Sequence, residues 1–376
     1  MIYLDSAATT LQKPERVAHA AARALRTCAS PGRGGHKPAM AAAETAYQCR
    51  QAAADLFGVS DPERVAFAFN ATHALNIAIG SLVAPGDTVV ISPWEHNAVT
   101  RPLKALGADI RVAAGPLFDP DAALAAFARQ ITPEVKCVIC THCSNVFGMV
   151  LPIDAIARLC RERRVPLIVD AAQSAGCLPI DLEGWGAAFV AMPGHKGLYG
   201  PQGTGLLLCG PDVPVRPLLY GGTGSASLIQ TMPDFLPDRL EAGTHNIPGI
   251  AGLLEGMTFV AKRGPETILA HERKLVAMAR EGLGQLPGVE VFGDNLGNDQ
   301  AGVLSFRVHN MDCEEVGAWL GERGVAVRAG LHCAPLAHEA AGTLDTGTVR
   351  VSLSVFNTAA EVERFLALMA RVARGR

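Results

Sequence analysis

The sequence predicts an α/β fold, with a large domain built on a mostly parallel sheet and a smaller α+β C-terminal domain. Three observations carry that prediction. Apolar runs of strand length at 65–69, 87–92, 135–141, 164–170 and 187–191 alternate with helix-length segments, as in βα units buried on both faces. Several of these runs open into polar or small residues, which is where a parallel sheet gathers its ligands. Beyond residue 256 the pattern changes to strands at 289–292, 302–308 and 325–328, read as a mostly antiparallel sheet covered by helices at 314–322 and 359–373.

Composition supports this size of fold. Of 376 residues, 49% are apolar and 18% charged, enough to bury a large core in more than one domain. The expected division is an N-terminal segment 1–14, a large domain 15–256 and a small domain 257–376. A net charge of −3 gives no electrostatic ground for a nucleic-acid partner. No apolar run is long enough to span a bilayer, and Asp5 stands where a signal peptide would turn hydrophobic, so a cytoplasmic protein with no membrane partner is expected. In that reducing compartment ten cysteines read as buried or reactive thiols, not disulfides.

From the N-terminus, residues 1–10 form a short extended segment, and Pro14 is placed to start a helix. The Gly/Pro/Ser-rich stretch 27–38 is a loop carrying Arg33 and His36, and 39–57 is a long helix ended by Gly58. After strand 65–69, Asn70-Ala71-Thr72 opens an Ala/Ile-rich helix. Its first amides, with the Thr72 hydroxyl, can accept a phosphate; an ordinary threonine cap uses the same geometry. The strand at 87–92 delivers His96, which reads either as a proton-exchanging group or as a structural histidine.

The run 135–141 carries Cys137 and Cys140, with Cys143 just beyond, a spacing that invites zinc or an iron–sulfur cluster. Strand side chains alternate and no fourth ligand follows until Cys160, so no metal is expected. Asp170 ends the next strand with Gln173 close behind. It can hold a pyridine nitrogen protonated or simply cap a helix. Then Met192-Pro193-Gly194-His195-Lys196-Gly197 puts a lysine at the mouth of the sheet. An ammonium near apolar walls or other cations loses proton affinity, so the amine can attack an aldehyde and form a Schiff base.

Residues 200–209 return as a strand, and the glycine-rich 220–225 lacks the strand-and-helix context of a dinucleotide motif. A long helix at 249–264 leads into the smaller domain. There Cys333 lies on a Gly- and Pro-bounded loop beside His332 and close to Arg328, a neighbourhood that favours thiolate.

The ordered motifs Tyr3-Leu4-Asp5-Ser6-Ala7-Ala8-Thr9-Thr10, Gly194-His195-Lys196, Arg350-Val351-Ser352-Leu353 and Phe356-Asn357-Thr358 resemble the class V group of fold-type I pyridoxal-phosphate enzymes. Within that group the sequence is similar to cysteine desulfurases and selenocysteine lyases, over almost the whole chain. The resemblance implies a pyridoxal 5'-phosphate cofactor held by Ala71, Thr72, His96, Asp170, Gln173, His195, Lys196 and Thr244. His96 would stack on the ring, Gln173 would reach its phenolic oxygen, and Thr244 would reach the phosphate of a neighbouring subunit, which implies a homodimer.

It further implies that Lys196, Cys333 and His96 are catalytic and that Asn145, Arg350 and His36 serve the substrate. L-cysteine would yield L-alanine and a persulfide on Cys333, destined for a sulfur-acceptor protein. The short stretch from Cys333 to Arg350 resembles the branch whose cysteine is held near the cofactor. One departure stands out: Pro193 replaces a serine found in many relatives, so one phosphate contact is missing or comes from His195, Gln202 or a water. Other family activities stay open, namely a selenocysteine lyase, another carbon–sulfur lyase, an aminotransferase or an epimerase. A more remote alternative is a non-enzymatic metal or iron–sulfur protein using the Cys137 cluster.

Overall fold

The computed structural model describes residues 1–31, 34–293 and 295–374; Arg33 lies outside them. The chain starts with β1 (Ile2–Tyr3), α1 (Glu15–Thr27) and α2 (Lys37–Phe57). His36 is the N-cap of α2: its ring Nδ1 accepts from the Ala39 amide at 3.3 Å, and Pro38 occupies the first turn, where no amide is needed. Gly58 ends the helix in a left-handed conformation.

Next come β2 (Val65–Ala68), α3 (Ala71–Leu82), β3 (Thr88–Ile91), α4 (Asn97–Leu106), β4 (Asp109–Val112), α5 (Pro120–Gln130) and β5 (Val135–Thr141). The sheet is completed through α6 (Ile153–Arg163), β6 (Leu167–Asp170), α7 (Leu182–Trp185), β7 (Phe189–Pro193) and β8 (Gly205–Cys209). Its order is β2-β8-β7-β6-β5-β3-β4, parallel throughout except where β8 pairs antiparallel with β7 and β2. Alternate residues of each strand enter different cores. Val90, Val138, Val169 and Val190 pack on one face, and Ile91, Ile139, Ile168 and Phe189 on the other. That is why these runs are apolar without interruption.

The remainder is α8 (Ile247–Arg263), α9 (Pro265–Gly284), β9 (Val289–Val291), β10 (Val303–Val308), α10 (Cys313–Glu322), β11 (Val325–Ala326), β12 (Arg328–Gly330), α11 (Pro335–Ala340), β13 (Thr348–Ser352) and α12 (Ala359–Ala373). Helix α8 runs unbroken through residues 256 and 257. A second sheet, in the order β12-β13-β10-β9, is antiparallel throughout.

Two expectations need correction. The strand foreseen at 200–209 begins only at Gly205, because the preceding residues fold back on the lysine turn: the Gly194 amide donates to Thr204 O and the Gly200 amide to Gly194 O. The strand foreseen at 325–328 is two strands, since the chain changes partners at Val327. β11 pairs parallel with β1, while β12 pairs with β13. The N-terminal residues are therefore part of the C-terminal packing, and a bridge from Asp5 to Ser352 extends that join.

Candidate active site

Every residue of β7 is buried, and its end is closed by contact with Thr204; a Cβ on Gly194 would fall 2.1 Å from Thr204 Oγ1. Only glycine fits there, and the turn it permits puts Lys196 on the wall of a cleft shared with Thr72, His96, Asn145 and Asp170. Burial lowers the Lys196 pKa to about 8, with Asp170 opposing and Arg350 reinforcing the shift. Asp170 closes β6 at 3% exposure. Its Oδ1 accepts from the Ala172 amide at 2.8 Å and closes a turn; the next helix begins only at Leu182 and is capped by Asp181, so Asp170 is not the helix cap that the sequence also allowed. Burial raises its pKa, opposed by that amide and by Lys196.

His96 caps α4, its Nδ1 accepting from the Ala98 amide at 3.0 Å. Burial first, then the charges of Lys196, Arg101 and Arg350, lower its pKa to about 4. At neutral pH the ring is therefore uncharged, with its proton on Nε2. At the start of α3 the cap is Asn70, whose Oδ1 accepts from the His73 amide at 2.9 Å. The Ala71 and Thr72 amides lie in the first turn, where a helix offers no acceptor, and both residues line the cleft. The Thr72 side chain is exposed and does not cap.

His195 lines the same cleft beside Pro193. Its Nδ1 lies 3.0 Å from Thr9 Oγ1, and its carbonyl accepts from the Thr10 amide at 3.1 Å and the Thr10 hydroxyl at 2.9 Å. Burial, then Lys196 and Lys13, lower its pKa to about 4. Gln202 is exposed and faces a different groove, with Leu11 and Pro14. Gln173 lines the cleft while its Nε2 donates to Ala7 O at 3.0 Å.

The cysteine loop is built differently. His332 and Cys333 both have positive φ, 50° and 55°, a left-handed pair that non-glycine residues rarely adopt. The loop is tied on two sides: Asn145 Nδ2 donates to His332 O, and the Asn97 amide of α4 donates to Cys333 O, each at 2.7 Å. Cys333 is the one exposed cysteine of ten; eight are buried and Cys28 is half-buried. It lies within electrostatic reach of Lys196 and Arg350.

Arg350, on β13, donates from Nη1 to Asn145 O at 2.9 Å and from Nη2 to Asp5 Oδ1 at 3.0 Å. Its Nε is buried without a partner. Arg328, more exposed, approaches Asp5 Oδ2 at 3.9 Å.

The structure thus gathers Ala71, Thr72, His96, Asn145, Asp170, Gln173, His195 and Lys196 around one cleft, with Cys333 and Arg350 beside it. His36 and Thr244 are exposed and line no part of that cleft. Sequence reasoning missed several residues. Asp5 stood in a quoted motif, yet nothing local shows that it pairs with an arginine 345 positions away. Glu95 is fully buried; its Oε1 accepts from Ser92 Oγ at 2.5 Å and the Thr141 amide at 2.7 Å, and burial raises its pKa to about 8. Its position next to His96 was the only available signal.

Among the described residues no group of three His, Cys, Asp or Glu side chains is arranged to hold a metal. Cys137 and Cys140 belong to the cores on opposite faces of β5, and burial raises both thiol pKa values.

A parallel sheet that sets a lysine of lowered pKa across a cleft from a buried carboxylate, beside a helix start able to take an anion, defines an α/β enzyme that works on carbonyl compounds through an amine. The chain belongs to the aminotransferase class-V family, whose model matches residues 2–365. It is 34% identical over 377 aligned positions to a protein of Methanothermobacter thermautotrophicus named "probable cysteine desulfurase", covering 96% of this chain and 92% of that one.

Among solved structures it superposes on an apo cysteine desulfurase from Thermococcus onnurineus with a TM-score of 0.92 and 32% identity, covering 100% and 95% of the two chains. The Escherichia coli cysteine desulfurase CsdA, in an S-sulfonic acid form, matches with a TM-score of 0.87 and 26% identity, over 99% and 94%.

Proposed function

We propose that this chain is a pyridoxal 5'-phosphate-dependent cysteine desulfurase, converting L-cysteine to L-alanine with the sulfur taken up on Cys333. The observation that carries the reading is the placement of the single exposed cysteine. It sits on a left-handed loop anchored to α4, whose cap is His96, within electrostatic reach of Lys196.

The cleft suits the cofactor. The Ala71 and Thr72 amides are free first-turn donors for a phosphate, and His195 lines the wall where Pro193 offers no hydroxyl. Asp170 is a buried carboxyl group that feels the Lys196 charge, suited to holding a proton on a pyridine nitrogen. When bound, pyridoxal phosphate would supply the electron sink for a negative charge at the substrate Cα.

The chain's own residues do the rest. Lys196 Nζ, which gives up its proton near pH 8, is suited to take the Cα proton and return it to the product. Neutral His96 keeps a donor on Nε2 within the cleft. Arg350 and Asn145 serve the substrate carboxylate, although Asp5 already occupies one edge of the guanidinium. Cys333 Sγ forms the new S–S bond as the substrate's Cβ–S bond breaks.

A homodimer is part of the reading. Tyr220, Leu228, Ile229 and Phe235 are exposed, Leu228 by 97%, on the segment leading to Thr244, a large apolar display for an isolated surface. A cytoplasmic setting accords with ten unpaired cysteines. No helix among the described residues is long and apolar enough to cross a membrane. The His36 ring caps α2 through Nδ1.

The test is mass spectrometry of the holoenzyme after incubation with L-cysteine, alongside alanine release from cysteine and selenocysteine. One added sulfur on the Cys333 peptide is expected. Alanine formed at full rate by Cys333→Ala, with no sulfur on Cys333 in the parent, would remove the persulfide role.

A further inference from the structure

Behind Cys333, His332, His338 and Thr343 form a continuous line of polar contacts. His332 Nδ1 lies 3.3 Å from His338 Nε2, and the two rings meet edge to edge, 15° from parallel with centroids 5.5 Å apart. His338 Nδ1 lies 2.8 Å from Thr343 Oγ1, and that hydroxyl lies 3.4 Å from His338 O. All three residues are buried. Burial lowers the His338 pKa to about 4 and that of His332 to about 2, the second helped by Arg350, so each ring is neutral with one proton.

The direction of the chain follows from proton counting. In the arrangement that satisfies both contacts of the Thr343 hydroxyl, its single proton goes to His338 O at 3.4 Å, which can only accept, and not to His338 Nδ1. The hydroxyl oxygen must then accept from His338 Nδ1–H, which leaves His338 Nε2 with a lone pair. His332 Nδ1–H donates to that lone pair, and His332 Nε2 is left without a proton. This Nε2 is buried with no hydrogen-bond partner, and the Arg328 backbone beside the ring works against the lowering of its pKa. His332 is therefore held at both ends, its ring by His338 and its carbonyl by Asn145.

We propose that His338 and Thr343 are positioning residues that lock His332 as the Nδ1–H tautomer and so keep the left-handed backbone at 332–333 that presents the Cys333 thiol. The inference rests on the reading of Cys333 as sulfur acceptor. Neither His338 nor Thr343 lines the cleft, so their effect passes through His332. Thr343 is matched to the task, since its amide also donates to His338 O at 2.8 Å, closing the turn that follows α11.

The experiment combines Thr343→Val, Thr343→Ser and His338→Phe with nitrogen NMR of the labelled histidines. In the parent protein, with or without cofactor, His332 is expected as the Nδ1–H tautomer. In Thr343→Val that signal shifts toward Nε2–H. For the loaded enzyme, kcat for alanine and the rate of sulfur addition to Cys333 fall about tenfold while KM changes less than about twofold and the visible absorbance is retained. Thr343→Ser restores all of these.

An Nε2–H tautomer in the parent overturns the proposal, even if a variant fails to fold. So does a Thr343→Val enzyme that loads sulfur at the parent rate. If the parent itself places no sulfur on Cys333, the reading of Cys333 fails, while the NMR result still decides the tautomer.

Discussion

Lys196 and Cys333 are supported by opposite kinds of backbone. The lysine sits just past a strand whose five residues are all buried, in a turn closed by Thr204. The cysteine sits on an exposed loop with two successive left-handed residues, each costing on the order of 1–3 kcal/mol. A group that exchanges a proton with one carbon needs the stiffness of a sheet end. A group that passes sulfur to another molecule must remain reachable, and its order comes from tethers such as Asn145 and His338 instead of burial.

The comparison can be broken most severely at the lysine. Lys196→Ala should cost at least about a thousandfold in alanine formation and remove the visible absorbance of the loaded enzyme; a variant keeping both would end the case for the amine. On the loop, Asn145→Ala leaves the His332 carbonyl without its donor, a loss of about 1–3 kcal/mol in loop order. The expected result is a fall of about tenfold in alanine formation, with faster amide hydrogen exchange at 331–334. A rise in KM with unchanged exchange would instead assign Asn145 to substrate alone.

The smallest effect sharpens the view of what burial costs behind the lysine. Glu272 is 7% exposed and lines a small cavity with Lys196, Cys177 and Tyr199. Burial raises its pKa to about 8. An acid with a raised folded-state pKa contributes stability that is complete below its ordinary value near 4.5 and is lost as pH climbs through about 8. Melting curves should therefore show the parent losing more stability than Glu272→Gln between about pH 5 and pH 8. Parallel curves would mean that Glu272 is ionised throughout.

What the sequence disclosed follows from the range of the forces involved. Asp170 and Lys196 were legible because uninterrupted apolar runs mark strands buried on both faces, and the first polar residues beyond them fall at the sheet's edge. The helix start at Ala71 was legible, but the alternative of a Thr72 cap does not hold, since Asn70 performs it; both residue types cap, and only geometry separates them. His36 was read toward chemistry, yet its ring caps α2. The break at Val327 was invisible because both halves are strand-like, and what divides them is a change of partner from β1 to β13. Asp5 with Arg350 and His332 with His338 were hidden for a related reason, since pairing of charges or rings across the chain leaves no local pattern.

The pairing of β1 with β11, and of Asp5 with Arg350, joins residues some three hundred positions apart. Contacts so distant in sequence form late, because the intervening chain must first be ordered. A polypeptide still emerging from the ribosome would hold Lys196 and Asp170 long before Arg350 exists to meet Asp5. During synthesis, the sheet that carries Asp170 and Lys196 is made well before the loop that carries Cys333.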